Sequence, residues 1–492
     1  MRAALIVAIL TSGMGLLDGS ATNVVLPVLQ HDLHADASAV QWVVLGYTLF
    51  LSSLMLIGGA LGDRFGRKRT LGAGVAVFSI SSLACALAVS PSMLVAARCI
   101  QGIGGALMVP GSLALITAEY PQNERGAAIG TWSAAIALAA AIGPVFGGWL
   151  AQAFSWRAIF AINLPIAVVV FVLLATRVKE SRNPGSRHLD WLGAGLVTVA
   201  LGAITFGLDR IPIDGLKLSG GIPLLIGIAV LFWFVREERR SPEPMVPLHL
   251  FKSVQFTAGN IYTLAMYAAI GGVMFFVPFD LINVRGYTPA AVGGAMLPLI
   301  TIMTLFSRYA GKLGERVGPR LPMSLGAAVA AVGFAMAAVL NPRGSYWTSL
   351  FPAFVVMGIG MTTFVAPLTT AVMNSVDERF AGAASGVNNA IARAAGLLAI
   401  AAGSILAVFS GSRSYGAGAP RSALVTGAFP NPAPAAEVAR LHAAFAHAFI
   451  WTMIACALCA LCASALALLM ASAPPRPSRE TPSGSPRSSV PA

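Results

Sequence analysis

The sequence predicts an all-α polytopic membrane protein of about fourteen transmembrane helices. These are arranged as two six-helix pseudo-repeats with two extra central helices. Three observations lead there. First, 57% of the 492 residues are hydrophobic and only 10% are charged, with a mean hydropathy of +0.78; a soluble domain carries about 25% charge. Second, apolar runs recur from Leu5 to Leu469, many reaching the ~20 residues that a bilayer-spanning helix needs. Third, a basic turn occurs twice. Gly59-Ala60-Leu61-Gly62-Asp63-Arg64-Phe65-Gly66-Arg67-Lys68-Arg69 has a weaker copy in Gly311-Lys312-Leu313-Gly314-Glu315-Arg316-Val317-Gly318-Pro319-Arg320. Glycine, leucine, glycine, acid, arginine and glycine recur in register, 252 residues apart. Glu124-Arg125 and Glu378-Arg379 repeat at nearly the same offset. Two unrelated stretches that share an offset indicate a duplicated chain.

The spans follow in order from apolar length and loop charge. The first covers about 3–29, then 40–61, 70–89, 93–118, 127–150 and 158–176. Two more lie near 191–208 and 220–235. The last six lie near 256–282, 290–309, 321–340, 347–373, 384–409 and 443–469. Six spans with short loops take roughly 190–200 residues. The repeat offset therefore leaves room for an inserted pair. The expected divisions are 1–177 (N-terminal six-helix bundle), 178–253 (inserted pair with linkers), 254–471 (C-terminal six-helix bundle) and 472–492, a disordered Pro/Ser/Arg-rich tail.

The net charge of +13 does not point to nucleic acid, because the cations sit in short loops between spans. Arg64, Arg67, Lys68 and Arg69 form one cluster. Alternate loops carry Arg125; Arg177, Lys179, Arg182 and Arg187; Arg236, Arg239, Arg240 and Lys252; Lys312, Arg316 and Arg320; and Arg379. The intervening loops are poorer, although Arg285, Arg343, Arg413, Arg421 and Arg440 reduce the contrast. A Lys/Arg excess marks the cytoplasmic face. Both termini are then expected inside an inner or plasma membrane. The opening segment continues into a first span and lacks the small-residue cleavage site of a signal peptide.

Enzymatic chemistry finds little support. Six histidines are scattered, and no cluster of acid, base and nucleophile is evident. There is no phosphate-binding Gly-x-x-x-x-Gly-Lys-Ser/Thr run, and Gly102-Ile103-Gly104-Gly105 sits mid-span and follows no strand. Cys456, Cys459 and Cys462 lie in an apolar helix without a nearby His or acid. His31, Asp32, His34 and Asp36 share one loop with no further ligand. Neither group is expected to hold a metal, and no cofactor is implied.

Several residues are costly where they stand. Asp18 lies deep in the first span, where a charge costs at least ~2.5 kcal/mol, so it should face a cavity or a partner. Arg98 either snorkels to the interface or faces the cavity and acts on a carboxyl. In the thirteenth span Asn389 and Arg393 are four apart and share a helical face. Gly143-Pro144 removes a donor and should bend the fifth span, and Gly147 allows close helix contact. Asp63 is expected at a helix N-terminus.

Those stretches carry a resemblance. GALGDRFGRKR ahead of a long apolar chain resembles the major facilitator superfamily. Leu17-Asp18 with Asn23-Val24-Val25-Leu26-Pro27 is similar to the first-span signature of its fourteen-span drug:proton antiporters, the EmrB/QacA-like family. Arg98-Cys99-Ile100-Gln101-Gly102-Ile103-Gly104 resembles that family's fourth-span motif. Gly143-Pro144-Val145-Phe146-Gly147-Gly148 resembles the fifth-span antiporter motif. Trp156-Arg157 with Phe160, Asn163 and Pro165, and Asp190-Trp191-Leu192-Gly193, also fit. The chain departs where Asp280 replaces an expected aromatic and Ile282 the usual glutamine.

The resemblance implies a major facilitator fold and proton-coupled export of small amphipathic or drug-like molecules by alternating access. Asp18, Arg98, Gln101, Asn389 and Arg393 would line the coupling site and cavity. Gly59, Asp63, Arg64, Gly66, Arg67 and Lys68 would form a cytoplasmic gate. Gly143, Pro144, Gly147 and Gly148 would form the antiporter motif, and Asp280 is a candidate cargo contact. Partners would be the small-molecule substrate, protons and the bilayer, with no nucleic acid. A periplasmic adaptor and outer-membrane channel stay open, as does an importer or symporter on the same fold. A polytopic enzyme or receptor is the remaining class.

Overall fold

The computed structural model describes residues 3–182, 190–214, 217–241, 244, 246–339, 345–376, 381–416, 418–429 and 433–470. Glu378, Arg379 and the tail 472–492 lie outside the described residues, as do the side chains of Arg125, Lys312 and Glu315. The first half consists of α1 (Ala3–Asp32), α2 (Ala37–Phe65), α3 (Arg67–Ala86), α4 (Pro91–Glu119), α5 (Gln122–Ala153), α6 (Arg157–Ala161) and α7 (Asn163–Arg177). A hairpin follows, α8 (Trp191–Asp214) and α9 (Leu218–Arg240). The second half begins with α10 (Val254–Phe279), α11 (Pro289–Ala295), α12 (Leu297–Val317) and α13 (Arg320–Val339). It closes with α14 (Leu350–Asn374), α15 (Ala381–Tyr415), α16 (Ala423–Thr426) and α17 (Ala435–Leu469).

Thirteen helical spans among the described residues are long and apolar enough to cross a membrane. A fourteenth element, α5, has an apolar part at Leu138–Ala153. Two expected spans are each built of two pieces: α6 and α7 divide at Ile162, and α11 and α12 divide at Met296, just before Pro298. Capping follows the local sequence. Asp36 accepts from the Ala39 N–H at 2.7 Å, and Ser90, Ser253 and Thr288 cap α4, α10 and α11.

Both basic turns occupy the same place, between the second and third spans of their halves. Gly66 joins α2 to α3 with φ +117°, and Gly318 ends α12 with φ +78°. These are backbone conformations that glycine adopts without a Cβ penalty. The recurrence in space supports the duplication read from the sequence.

The hairpin packs on α2 and α15, one helix from each half. Asp209 of α8 is buried and accepts from Ser38 Oγ and from Trp42 Nε1 (3.3 Å), both on α2. On α9, Leu225 and Phe232 are 68% and 74% exposed, an apolar surface suited to lipid. The two halves share one buried core at the end away from the basic turns, where Val25 and Leu29 of α1 join Phe276 and Leu424. Toward the basic end, residues of α1–α4 and α7 form a separate core around Val7, Phe78 and Leu174.

Candidate functional site

A buried polar network crosses the first half. Asp18, Arg98, Gln101 and Asn163 are each fully buried. Arg98 Nη1 donates to Asp18 Oδ2 and to Gln101 Oε1 (2.6 Å), while its Nε donates to the Val43 carbonyl (3.0 Å). Gln101 Nε2 and Asn163 Nδ2 donate to Asp18 Oδ1 at 3.0 and 3.2 Å. Asn163 also donates to Ser82 Oγ (2.9 Å), which donates to the Phe160 carbonyl (2.8 Å). The guanidinium stands over the Tyr47 ring at 4.3 Å. An ion pair away from water survives only where its charged atoms are answered in this way, although the buried Asn163 Oδ1 has no partner among the described residues. Of the two readings of Arg98, snorkelling to the interface does not occur. Arg98 turns inward because Asp18, Gln101 and a backbone carbonyl together replace its hydration.

Asn163, Ser82 and Tyr47 complete this network and were absent from the candidate residues. A polar Asn at the α6–α7 break inside an apolar run was the available signal.

In the second half, Arg393 is partly exposed on α15, within electrostatic range of Tyr47 and Tyr267. Asn389 is exposed. Its neighbour Asn388 makes the interhelical contact, donating to Asn260 Oδ1 (3.1 Å) and Thr263 Oγ1 (2.7 Å) on α10. One residue is 100° around a helix, so the α15–α10 contact falls to Asn388.

The basic turn differs from expectation in its acid. Asp63 does not cap a helix. It accepts from Arg67 Nη2 (2.8 Å) and Nε (3.0 Å), and Arg67 Nη1 reaches the Ala114 carbonyl (3.3 Å). The N-terminus of α3 is instead taken by Glu180. Its carboxylate accepts from the Lys68 N–H (3.0 Å) and the Arg69 N–H (3.2 Å), an anion where free amides and the helix dipole favour one. A methyl at Gly66 would lie 2.6 Å from the Glu180 carboxyl carbon, so glycine also makes room for this cap. Lys68 Nζ donates to the Val178 carbonyl (2.9 Å). Arg64 is exposed and stacks over Phe65 at 5.5 Å, outside the cluster. Gly59 faces Pro110 of α4, with 3.5 Å available to an added Cβ.

The Gly143–Gly148 motif sits where three helices meet. α5 runs as one helix through Pro144. A Cβ at Gly147 would meet Ala21 Cα of α1 at 2.8 Å, and one at Gly143 would meet Ser20 Cβ at 3.1 Å. Gly148 lies against Pro289 and Ala290 of the second half, and Gly293 lies against Pro144 and Val145. The motif is therefore the seam that joins the halves. Gln30 adds a cross-half bond to Thr426 at 2.9 Å.

Asp280 begins a π-helical turn (Asp280–Val284) that brings Arg285 back onto it, Nε to Oδ2 at 2.6 Å. Both side chains are nearly buried, at 3% and 6% exposure. The carboxylate is occupied and does not stand free for cationic cargo. Asp280→Asn should lower thermal stability by leaving Arg285 without its acid, a loss of about 3–5 kcal/mol for a buried pair. It should affect cationic and neutral cargo alike; a KM rise confined to cations would contradict this.

At the C-terminal end of α1, Asp32 accepts from Trp156 Nε1 and Arg157 Nη1, each at 2.7 Å. Gly104, in the glycine-rich stretch of α4, packs on the α3 backbone: a Cβ there would meet Phe78 Cα at 2.8 Å.

Helices of this number around a buried, fully paired charge network, with a glycine seam between two halves, define a multi-pass membrane transporter. The chain belongs to the Major Facilitator Superfamily, whose family model matches residues 8–401. It is 33% identical over 402 residues to the Tetracenomycin C resistance and export protein of Streptomyces glaucescens, covering 81% of this chain and 73% of that one. It is 34% identical over 390 residues to the Probable actinorhodin transporter of Streptomyces coelicolor, covering 77% and 67%. Against the Methylenomycin A resistance protein of Bacillus subtilis it is 32% identical over 419 residues, covering 84% and 89%. Among solved structures, a bacterial homolog of the human lysosomal transporter Spinster, inward-facing and unoccupied, aligns with TM-score 0.66 at 18% identity over 95% of this chain and 96% of that one. A POT family transporter aligns with TM-score 0.64 at 14% identity over 94% and 95%. At these identities the structural likeness concerns the fold.

Proposed function

We propose that this protein is a proton-coupled exporter, an antiporter of small amphipathic or drug-like molecules, of the fourteen-span drug:proton antiporter type. The observation that carries the reading is the Asp18–Arg98 pair, fully buried and linked by Gln101 and Asn163 to α4 and α7. A carboxyl so placed binds a proton when its arginine withdraws and releases it when the arginine returns. Alternating access supplies the withdrawal. The relatives named for antibiotic resistance and export support the direction and the class of cargo.

The bundles are 1–177 and 254–471, with 178–253 inserted. The basic turns and both termini lie on the cytoplasmic face of an inner or plasma membrane, as the Lys/Arg excess requires. In the alternate state the seam at Gly148 and Gly293 opens. The Asp63–Arg67–Glu180 cluster, with Gly59, Gly66 and Lys68, then closes its own end against the second half.

Dye uptake into everted vesicles, with and without an imposed pH gradient, tests the reading. Export against protons appears as uptake that an inside-acid gradient drives and a protonophore collapses. Uptake indifferent to the gradient, or driven by the opposite one, removes the antiport mechanism.

A further inference from the structure

Among the described residues, two intramembrane ion pairs stand near the junction of the halves. Asp18 holds Arg98, and Asp280 holds Arg285. Arg393 has no carboxylate within ion-pair distance among the described residues. A guanidinium away from bulk water without an anion is costly, and in a membrane protein such a group marks a site.

The surroundings of Arg393 are built. α10 and α15 run parallel and cross closely where Gly271 meets Gly396; a Cβ at Gly271 would lie 2.9 Å from Gly396 Cα. Tyr267 lies one turn before that crossing on α10, and Arg393 lies about one turn before it on α15. The two therefore stand at one level. Closer to the basic end, Asn388, Asn260 and Thr263 form a polar patch along the same seam. Across the junction stands Tyr47 of α2, whose ring lies against Arg98. Arg393 is thus partly accessible, level with Tyr267 and within electrostatic range of Tyr47, whose ring in turn lies against Arg98.

Resting on the exporter reading above, we infer that the cargo is an amphipathic anion, bearing a carboxylate or an acidic phenol or enol, whose charged group pairs with Arg393 at the level of Tyr267. The planar guanidinium takes such a group with two parallel donors. The Tyr267 hydroxyl supplies a further donor, and its ring flanks an apolar body; the Tyr47 hydroxyl already donates to the Gly15 carbonyl at 3.4 Å.

The test uses the full-length protein and two readouts. One is fluorescein binding to purified protein in detergent, followed by anisotropy. The other is uptake into everted vesicles of fluorescein (anionic), Nile red (neutral) and ethidium (cationic). Wild type should bind fluorescein. Arg393→Gln should weaken that binding at least tenfold, with Arg393→Lys in between. The ratio of fluorescein to Nile red uptake should fall at least tenfold in Arg393→Gln. Equal falls for all three dyes, or unchanged fluorescein binding in Arg393→Gln, overturn the inference. Wild-type uptake of ethidium and Nile red without fluorescein binding overturns it while leaving the exporter reading in place. Arginine-dependent fluorescein binding without pH-driven uptake of any dye supports the anion site and removes the exporter reading.

Discussion

Asp18→Asn is expected to abolish pH-driven efflux and to lower the thermal stability of the protein. The substitution leaves Arg98 fully buried with a neutral partner. Removing one member of a buried ion pair costs about 3–5 kcal/mol, because the remaining charge has lost its compensation. Arg98→Gln should cost a similar amount from the other side, less whatever is recovered by protonating Asp18. The double substitution Asp18→Asn/Arg98→Gln should recover most of the stability, since two neutral amides can keep the bonds to Gln101 and Asn163. It should recover none of the coupling. The sum of the single losses would then exceed the loss in the double variant, the signature of direct interaction. Thermal unfolding in detergent gives the stability arm, and proton-gradient-driven uptake into everted vesicles gives the coupling arm. Wild-type pH-driven uptake by the Asp18→Asn variant would remove Asp18 from the mechanism. Additive stability losses would show that the pair does not stabilise the state described here.

A side chain added at Gly148 or Gly293 is expected to force the seam between the halves apart. A methyl at Gly148 would lie 2.7 Å from the Pro289 carbonyl carbon, and one at Gly293 would lie 2.6 Å from Val145 Cα. These neighbours are backbone atoms, so no rotamer change relieves the contact. Overpacking of this kind costs about 1–3 kcal/mol. Applied to one state only, it moves the balance between states by about 5- to 150-fold. Gly148→Leu should therefore favour the arrangement in which that end is open, and it should slow efflux. A reporter at Ala290→Cys measures this once Cys85, Cys99, Cys456, Cys459 and Cys462 have been replaced. Alkylation of the reporter should accelerate at least fivefold in the Gly148→Leu background. Unchanged alkylation with unchanged efflux would show that the seam never parts.

The spans were legible because lipid leaves the backbone few choices. Every apolar run of sufficient length must satisfy its own amides, so helix count and approximate position follow from composition. Asp18 and Arg98 were legible for a related reason: a charge inside a span must be answered, and few answers exist. Their partnership spans 80 residues of sequence and depends on helix packing that no local pattern encodes. Glu180 was missed although it is the lone acid among Arg177, Lys179 and Arg182. Loop composition identifies such an acid but does not say which helix N-terminus it reaches. Asn389 was singled out with Arg393 for the cavity, whereas the contact with α10 is made by its neighbour Asn388, which the sequence did not mark. Small and apolar residues lie on every side of α15, so periodicity does not fix its rotation. The bridging roles of Tyr47 and Ser82 were likewise invisible, because hydroxyls are common in spans and gain meaning only from their neighbours.

The hairpin α8–α9 breaks the symmetry that duplication would otherwise impose. Two related halves meet along two lateral faces, one between α2 and α15 and the other between α5 and the α11–α12 segment. The hairpin rests on the first, held to α2 by Asp209 and touching α15 on the other half. Among the described residues, no inserted helix covers the second. A solute dissolved in the bilayer thus meets a shielded flank and a bare one, so the molecule has a front and a back with respect to lipid. In the alternating access proposed above, the shielded flank would shear against a strip of protein while the bare flank would exchange its neighbours with fluid acyl chains, so the two sides would resist the same motion through different materials.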